Sequence, residues 1–127
     1  MTVILDSTAL IDALRKKPAC VRAMQNVLAT GDILATSAVN VAEIYAGSRQ
    51  DEGKQTERLL AAIEVYPVTY SIAKRAGELK NAAARRGITL QLDDMIVAAT
   101  ALERGSPVWT DNKKDFAVPG LKFYNPS

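Results

Sequence analysis

The 127-residue chain contains no histidine, which excludes a Ser-His-Asp triad, a Cys-His pair and any histidine-based zinc site. Its one cysteine, Cys20, excludes an internal disulfide and a multi-cysteine metal site, and reads as structural. No apolar run approaches the roughly 20 residues of a spanning helix, and no basic segment leads into a long apolar one near Met1, so a cytoplasmic location is expected. Positive and negative side chains nearly balance. The 16 Lys+Arg against 14 Asp+Glu leave +2, too small a surplus to mark a nucleic-acid binder by itself. The 48% hydrophobic content argues against disorder, and the length suits one domain over 1–127. What remains for catalysis is carboxylate, lysine, tyrosine and hydroxyl chemistry. Carboxylates without imidazole favour hard cations such as Mg²⁺ or Mn²⁺.

Hydrophobic patterning predicts strands alternating with helices. Strands are expected at 2–5, 33–36, 65–68, 107–110 and 121–125, with the third shortened or made peripheral by Pro67. Helices are expected at about 8–15, 19–29, from 37 through "VAEIYAGS", 54–64, 71–86 and 93–104, the last two stopped by Gly87 and Gly105. Such alternation implies a mainly parallel sheet with helices on both faces, a three-layer α/β/α domain whose sites form at the carboxyl ends of the strands.

The acids fall at that edge. Asp6 ends the first strand, Glu43 lies in the helix after the second, Asp94 begins the last helix, and Asp111 and Asp115 follow the fourth strand. Each also has a structural reading. Asp6 can cap the helix after it. Asn40 and Glu43 have the spacing of a capping box, although a charge in the apolar stretch "NVAEIYA" needs a partner if buried. Asp93 is expected as the N-cap of the last helix, leaving Asp94 at its mouth, and "TDNKKDF" reads as a polar turn.

At these positions the chain resembles the PIN-domain ribonucleases, and among them the VapC-type toxins of toxin–antitoxin pairs. The resemblance rests on "LDSTALID" with Asp6, "TSAVNVAEIYAG" with Glu43, "LDDMIVAATAL" with Asp94, and "VWTDNKKDF" with Asn112 and Asp115. It implies a PIN-like fold and an endoribonuclease whose Mg²⁺ or Mn²⁺ is held by Asp6, Glu43, Asp94 and Asp115. In that register Asp111 is the variable residue, and the uncharged Asn112 weakens any second metal. The resemblance further implies an RNA substrate, a homodimer, and a VapB-like antitoxin that presents a basic side chain to the acids. Thr8, Thr110, Asn112 and Lys113 are the candidate substrate contacts, with Lys114, Arg15, Lys16 and Lys17 nearby; Tyr45 and Trp109 read as core rather than as base-stacking groups.

Carboxylates forced to ~4 Å repel by about 4 kcal/mol at an effective dielectric near 20, so both Asp6→Asn and Asp94→Asn are expected to raise the melting temperature without metal. Two other readings compete. One is a catalytically weak PIN-like binding module. The other is an aspartyl-phosphate phosphotransferase or phosphatase, whose pattern needs a second aspartate where this chain has Thr8.

Overall fold

Val3, Ile4 and Leu5 form a continuous apolar run, as expected of a strand buried on both faces of a parallel sheet. In the computed structural model, which describes residues 1–126, they lie in β1 (Thr2–Leu5). Successive side chains point to opposite faces. Ile4 joins one hydrophobic core, while Val3 and Leu5 join the other. Each such side chain contributes roughly 1.5–3 kcal/mol on full burial.

The chain continues through α1 (Ser7–Leu14), α2 (Pro18–Ala29), β2 (Ile33–Ser37), α3 (Ala38–Ala46), a 3₁₀ turn at Gln50–Glu52, and α4 (Gly53–Ala61). β3 (Glu64–Tyr66), α5 (Tyr70–Arg85), α6 (Leu92–Arg104), β4 (Val108–Trp109) and a 3₁₀ turn at Lys113–Phe116 follow. The strands pair in the order β3-β2-β1-β4, all parallel. Buried residues of α5 and α6 pack on one face of this sheet, and those of α1, α2 and α3 on the other. This is the three-layer arrangement expected from the alternation.

Two strands differ from expectation. β3 ends before Pro67, since a proline cannot donate to the ladder. The strand expected at 121–125 reduces to a single parallel bridge, Phe123 with Val108, flanked by Val108 N–H to Lys122 O (2.9 Å) and Tyr124 N–H to Val108 O (2.8 Å). Its partner β4 is only two residues long, so little ladder is available to extend.

α6 carries the most buried sequence of the chain, from Met95 through Ala101, and delivers its N-terminus to the carboxyl edge of the sheet. It stops at Gly105, in the left-handed region (φ 63°, ψ 30°). A β-carbon there meets no neighbour but strains the backbone. Gly105→Ala is therefore expected to cost about 1 kcal/mol, seen as a melting temperature lower by roughly 3–5 °C.

Candidate active site

Because all four strands run the same way, the segments leaving β1, β2 and β4 meet at one edge. Asp6 leaves β1. It is 4% exposed, and three donors reach its carboxylate: Thr8 Oγ1–H (2.6 Å) and Ala9 N–H (3.1 Å) on Oδ1, and Thr110 Oγ1–H (2.5 Å) on Oδ2. Asp6 is thus the N-cap of α1, and the two threonines named as substrate contacts orient it. Thr110 Oγ1 in turn accepts from Asn112 N–H (3.0 Å), and Thr8 Oγ1 from Asp111 N–H (3.0 Å). These bonds tie the loop after β4 to the end of β1.

Glu43 projects from α3. The capping box of that helix is formed by Ser37 and Asn40, not by Asn40 and Glu43. Among the described residues no backbone amide donates to the Glu43 side chain; its Oε1 accepts from Ser7 Oγ–H (2.7 Å) and Asn40 Nδ2–H (3.1 Å). The spacing Ser37-x-x-Asn40 already closes the box one turn earlier, which frees Glu43. Burial, and then a hydrogen bond with the carboxyl of Asp93, push Glu43 above the ordinary glutamate range.

Asp93 is not the N-cap of α6 either. The helix starts at Leu92 with Gln91 as its cap residue, so both aspartates sit in the first turn. Asp93 Oδ1 accepts from Asp94 N–H (3.0 Å). Asp94 is half-buried, and burial first, then the charges of Asp93, Asp115, Asp6 and Glu43, push it up to about 7. The sheet edge therefore gathers Asp6, Glu43, Asp94 and Asp115, and adds Asp93, Ser7 and Asn40. The Asp-Asp pair was a signal for Asp93, since one cap accounts for only one aspartate.

Among the described residues, no three acidic side chains are arranged to hold one ion in common. Both oxygens of Asp6 and Oε1 of Glu43 are engaged by hydroxyl and amide donors, which aim them at neighbouring elements rather than at one another. The donor set suits Mg²⁺ or Mn²⁺ in chemistry, being hard oxygens with surplus negative charge.

The remaining candidates scatter. Lys113 bonds Asn125 Oδ1 and lies over the Phe123 ring at 5.8 Å from its centroid. Lys17 pairs with Asp12 at 2.8 Å, and Asp111 hydrogen-bonds Asp12, which together with burial pushes Asp111 up to about 6. Trp109 is core as expected, 5.1 Å from Tyr124 between ring centroids. Tyr45 is not; it is 46% exposed, because α3 turns that face to solvent. Cys20 is half-buried, its thiol 3.7 Å from Ala9 O, and burial raises its pKa. This agrees with a structural role. Beside Glu43 a cavity of about 130 Å³ is walled by Leu14, Ile44 and Ser48, with Arg15 and Arg49 on its lining. No helix among the described residues is long and apolar enough to cross a membrane.

Comparison with known proteins agrees with this architecture. The PIN domain profile matches residues 3–120. Ribonuclease VapC10 of Mycobacterium tuberculosis is 34% identical over 128 aligned residues, covering 93% of this chain and 96% of the relative. The crystal structure of DNA-bound VapBC from Salmonella typhimurium superposes with a TM-score of 0.86 at 25% identity, covering 100% of this chain and 99% of that one. VapBC2 from Rickettsia felis, crystallised with a promoter DNA fragment, shares the fold at a TM-score of 0.87 and 22% identity over 98% of both chains. With the profile spanning nearly its whole length and a VapC relative matching from end to end, the chain belongs to the PIN-domain family and is of the VapC type.

Proposed function

We propose that this protein is an endoribonuclease dependent on Mg²⁺ or Mn²⁺, acting as the toxin of a VapBC-type pair in the cytoplasm. One observation carries the reading: at the carboxyl edge of the sheet, Asp94 stands half-buried among the carboxylates of Asp93, Asp115, Asp6 and Glu43, a charge concentration that a divalent cation relieves. Asp6, Glu43, Asp94 and Asp115 would hold the ion. Once bound, such an ion orients a phosphodiester, lowers the pKa of attacking water and stabilises the leaving oxygen.

The protein groups have separate duties. Thr8 and Thr110 fix the Asp6 carboxylate. Asn112, whose N–H is held by Thr110, and Lys113 beside it are the proposed contacts to the substrate backbone, with Lys113 supplying positive charge. Arg15 and Arg49, on the cavity that reaches Glu43, are placed to hold phosphates. The same acids attract a guanidinium, so an antitoxin carrying one is a fitting inhibitor. The VapBC names of the similar complexes support a VapB-like partner. A homodimer is the proposed assembly, checked by the mass in solution.

The aspartyl-phosphate reading is less favoured, since the second aspartate its pattern needs is Thr8 here, whose hydroxyl donates to Asp6 rather than serving as an acid. The test is cleavage of a mixed RNA pool with Mn²⁺, repeated with EDTA. Cleavage that EDTA abolishes is expected. Metal-independent cleavage removes the cofactor, and intact RNA under every condition favours the binding module.

A further inference from the structure

Asn40 is 2% exposed, an unusual burial for a side-chain amide, and each of its polar atoms is spoken for. Oδ1 accepts from Ser37 N–H (3.3 Å) and lies 3.0 Å from Thr36 Oγ1, a hydroxyl that also faces Leu5 O at 2.7 Å. Nδ2 donates to Ser7 Oγ (3.1 Å) and to Glu43 Oε1 (3.1 Å). The neighbours dictate this orientation. A backbone N–H can only donate, so the atom facing Ser37 N must be the amide oxygen, and the NH₂ group must face the carboxylate.

With its lone pairs turned to Asn40, Ser7 directs its hydroxyl proton to the same Glu43 oxygen at 2.7 Å. Two donors converge on Oε1, while the other group within hydrogen-bonding reach of Glu43 among the described residues is the Asp93 carboxyl, which has no proton to donate once ionised. The clamp is anchored in the sheet itself, because Thr36 belongs to β2 and Leu5 to β1. A carboxylate with one oxygen held by two donors offers a cation its other oxygen. Mg²⁺ and Mn²⁺, small and six-coordinate, suit such one-oxygen ligands, whereas Ca²⁺ favours more oxygens and two-oxygen carboxylates.

We propose that Asn40, acting directly and through Ser7, is a positioning residue that holds Glu43 as a one-oxygen ligand and so sets the preference of the site for Mg²⁺ or Mn²⁺ over Ca²⁺. The inference rests on the metal-dependent reading of the site given above. Partners behind a ligand are commonly worth 10–100-fold in metal affinity.

The experiment is calorimetric titration of Mn²⁺ and of Ca²⁺ into the full chain, for wild type, Asn40→Ala, Ser7→Ala and the double variant, with the metal-free melting temperature recorded for each. Wild type is expected to bind Mn²⁺ at least about tenfold tighter than Ca²⁺. Each single variant is expected to weaken Mn²⁺ about tenfold and to narrow the Mn²⁺/Ca²⁺ ratio at least about threefold. The double variant should be no worse than about twofold beyond the single ones, as for groups acting in one clamp. A purely structural Asn40 lowers the melting temperature but leaves the ratio at its wild-type value; that result overturns the proposal. If Asn40→Ala does not fold, an unchanged ratio in Ser7→Ala overturns it equally. Failure of the wild type to bind Mn²⁺ is a different result, and defeats the metal-dependent function together with this inference.

Discussion

Asp94→Asn is expected to make the metal-free protein more stable while destroying RNA cleavage. Burial and the charges of Asp93, Asp115, Asp6 and Glu43 hold the Asp94 carboxyl at about 7, against 3.8 for a free aspartate. The folded state thus binds this proton more tightly than the unfolded one. Stability from Asp94 is fully present below about pH 4, falls as pH rises from about 4 to about 7, and is level above. An amide in its place has no charge to bury. Solvent screens part of the repulsion at a half-buried position, leaving a gain on the order of 1–2 kcal/mol at pH 8, or roughly 3–6 °C.

Other acids titrate in the same window, among them Glu43 and Asp111, both raised. The discriminating quantity is therefore the difference between variant and wild type across pH, which should vanish near pH 4 and grow towards pH 7. Saturating Mn²⁺ should reverse the ranking, because only the wild type gains from the ion. Cleavage should fall by more than about 100-fold, beyond the loss usual for a partner one step removed from a metal. A lower metal-free melting temperature for Asp94→Asn at pH 8 would mean that the carboxylate serves α6 as a first-turn anion, and the crowded-charge account fails.

How much of this was legible in the sequence follows from how local each signal is. The strand run Val3–Leu5 and the buried stretch from Met95 to Ala101 mark themselves by periodicity and apolar content, and elements of the expected type formed there. The convergence of Asp6, Glu43 and Asp94 was also readable, since parallel strands oblige their carboxyl ends to share an edge. The partner of each acid was not. Ser7 carried no signal of its own beyond following Asp6, yet its hydroxyl crosses to Glu43, 36 positions away. The cap of α6 shifted to Gln91, which brought Asp93 into the first turn and against Glu43, a placement fixed by how α6 packs on α3. Lys113 read as a phosphate contact because its acceptor, Asn125, meets it only through the fold, whereas Lys17 turns back on Asp12 at the end of α1, a local pairing that helix spacing did not mark.

Asp6→Asn should also end cleavage, but with the opposite effect on stability from the one expected from sequence. Asp6 belongs to the same group of charges, but unlike Asp94 it has three donors on its carboxylate, and these decide the outcome. An asparagine that keeps its oxygen at Oδ1 still caps α1, since asparagine equals aspartate as an N-cap. Its nitrogen then faces Oγ1 of Thr110, a residue 6% exposed whose hydroxyl already accepts from Asn112 N–H and keeps for its own proton the long contact to Thr8 Oγ1 (3.5 Å). A buried hydroxyl reduced to so poor an acceptor costs about 1–2 kcal/mol, and the metal-free melting temperature should drop by roughly 3–6 °C. The cause can be isolated. In Asp6→Asn/Thr110→Val the stranded hydroxyl is gone, so the double variant should lose about 1 kcal/mol less than the two single losses added together. Strict additivity, or a rise in melting temperature for Asp6→Asn alone, would show that repulsion among the acids outweighs the threonine bonds at Asp6 as well.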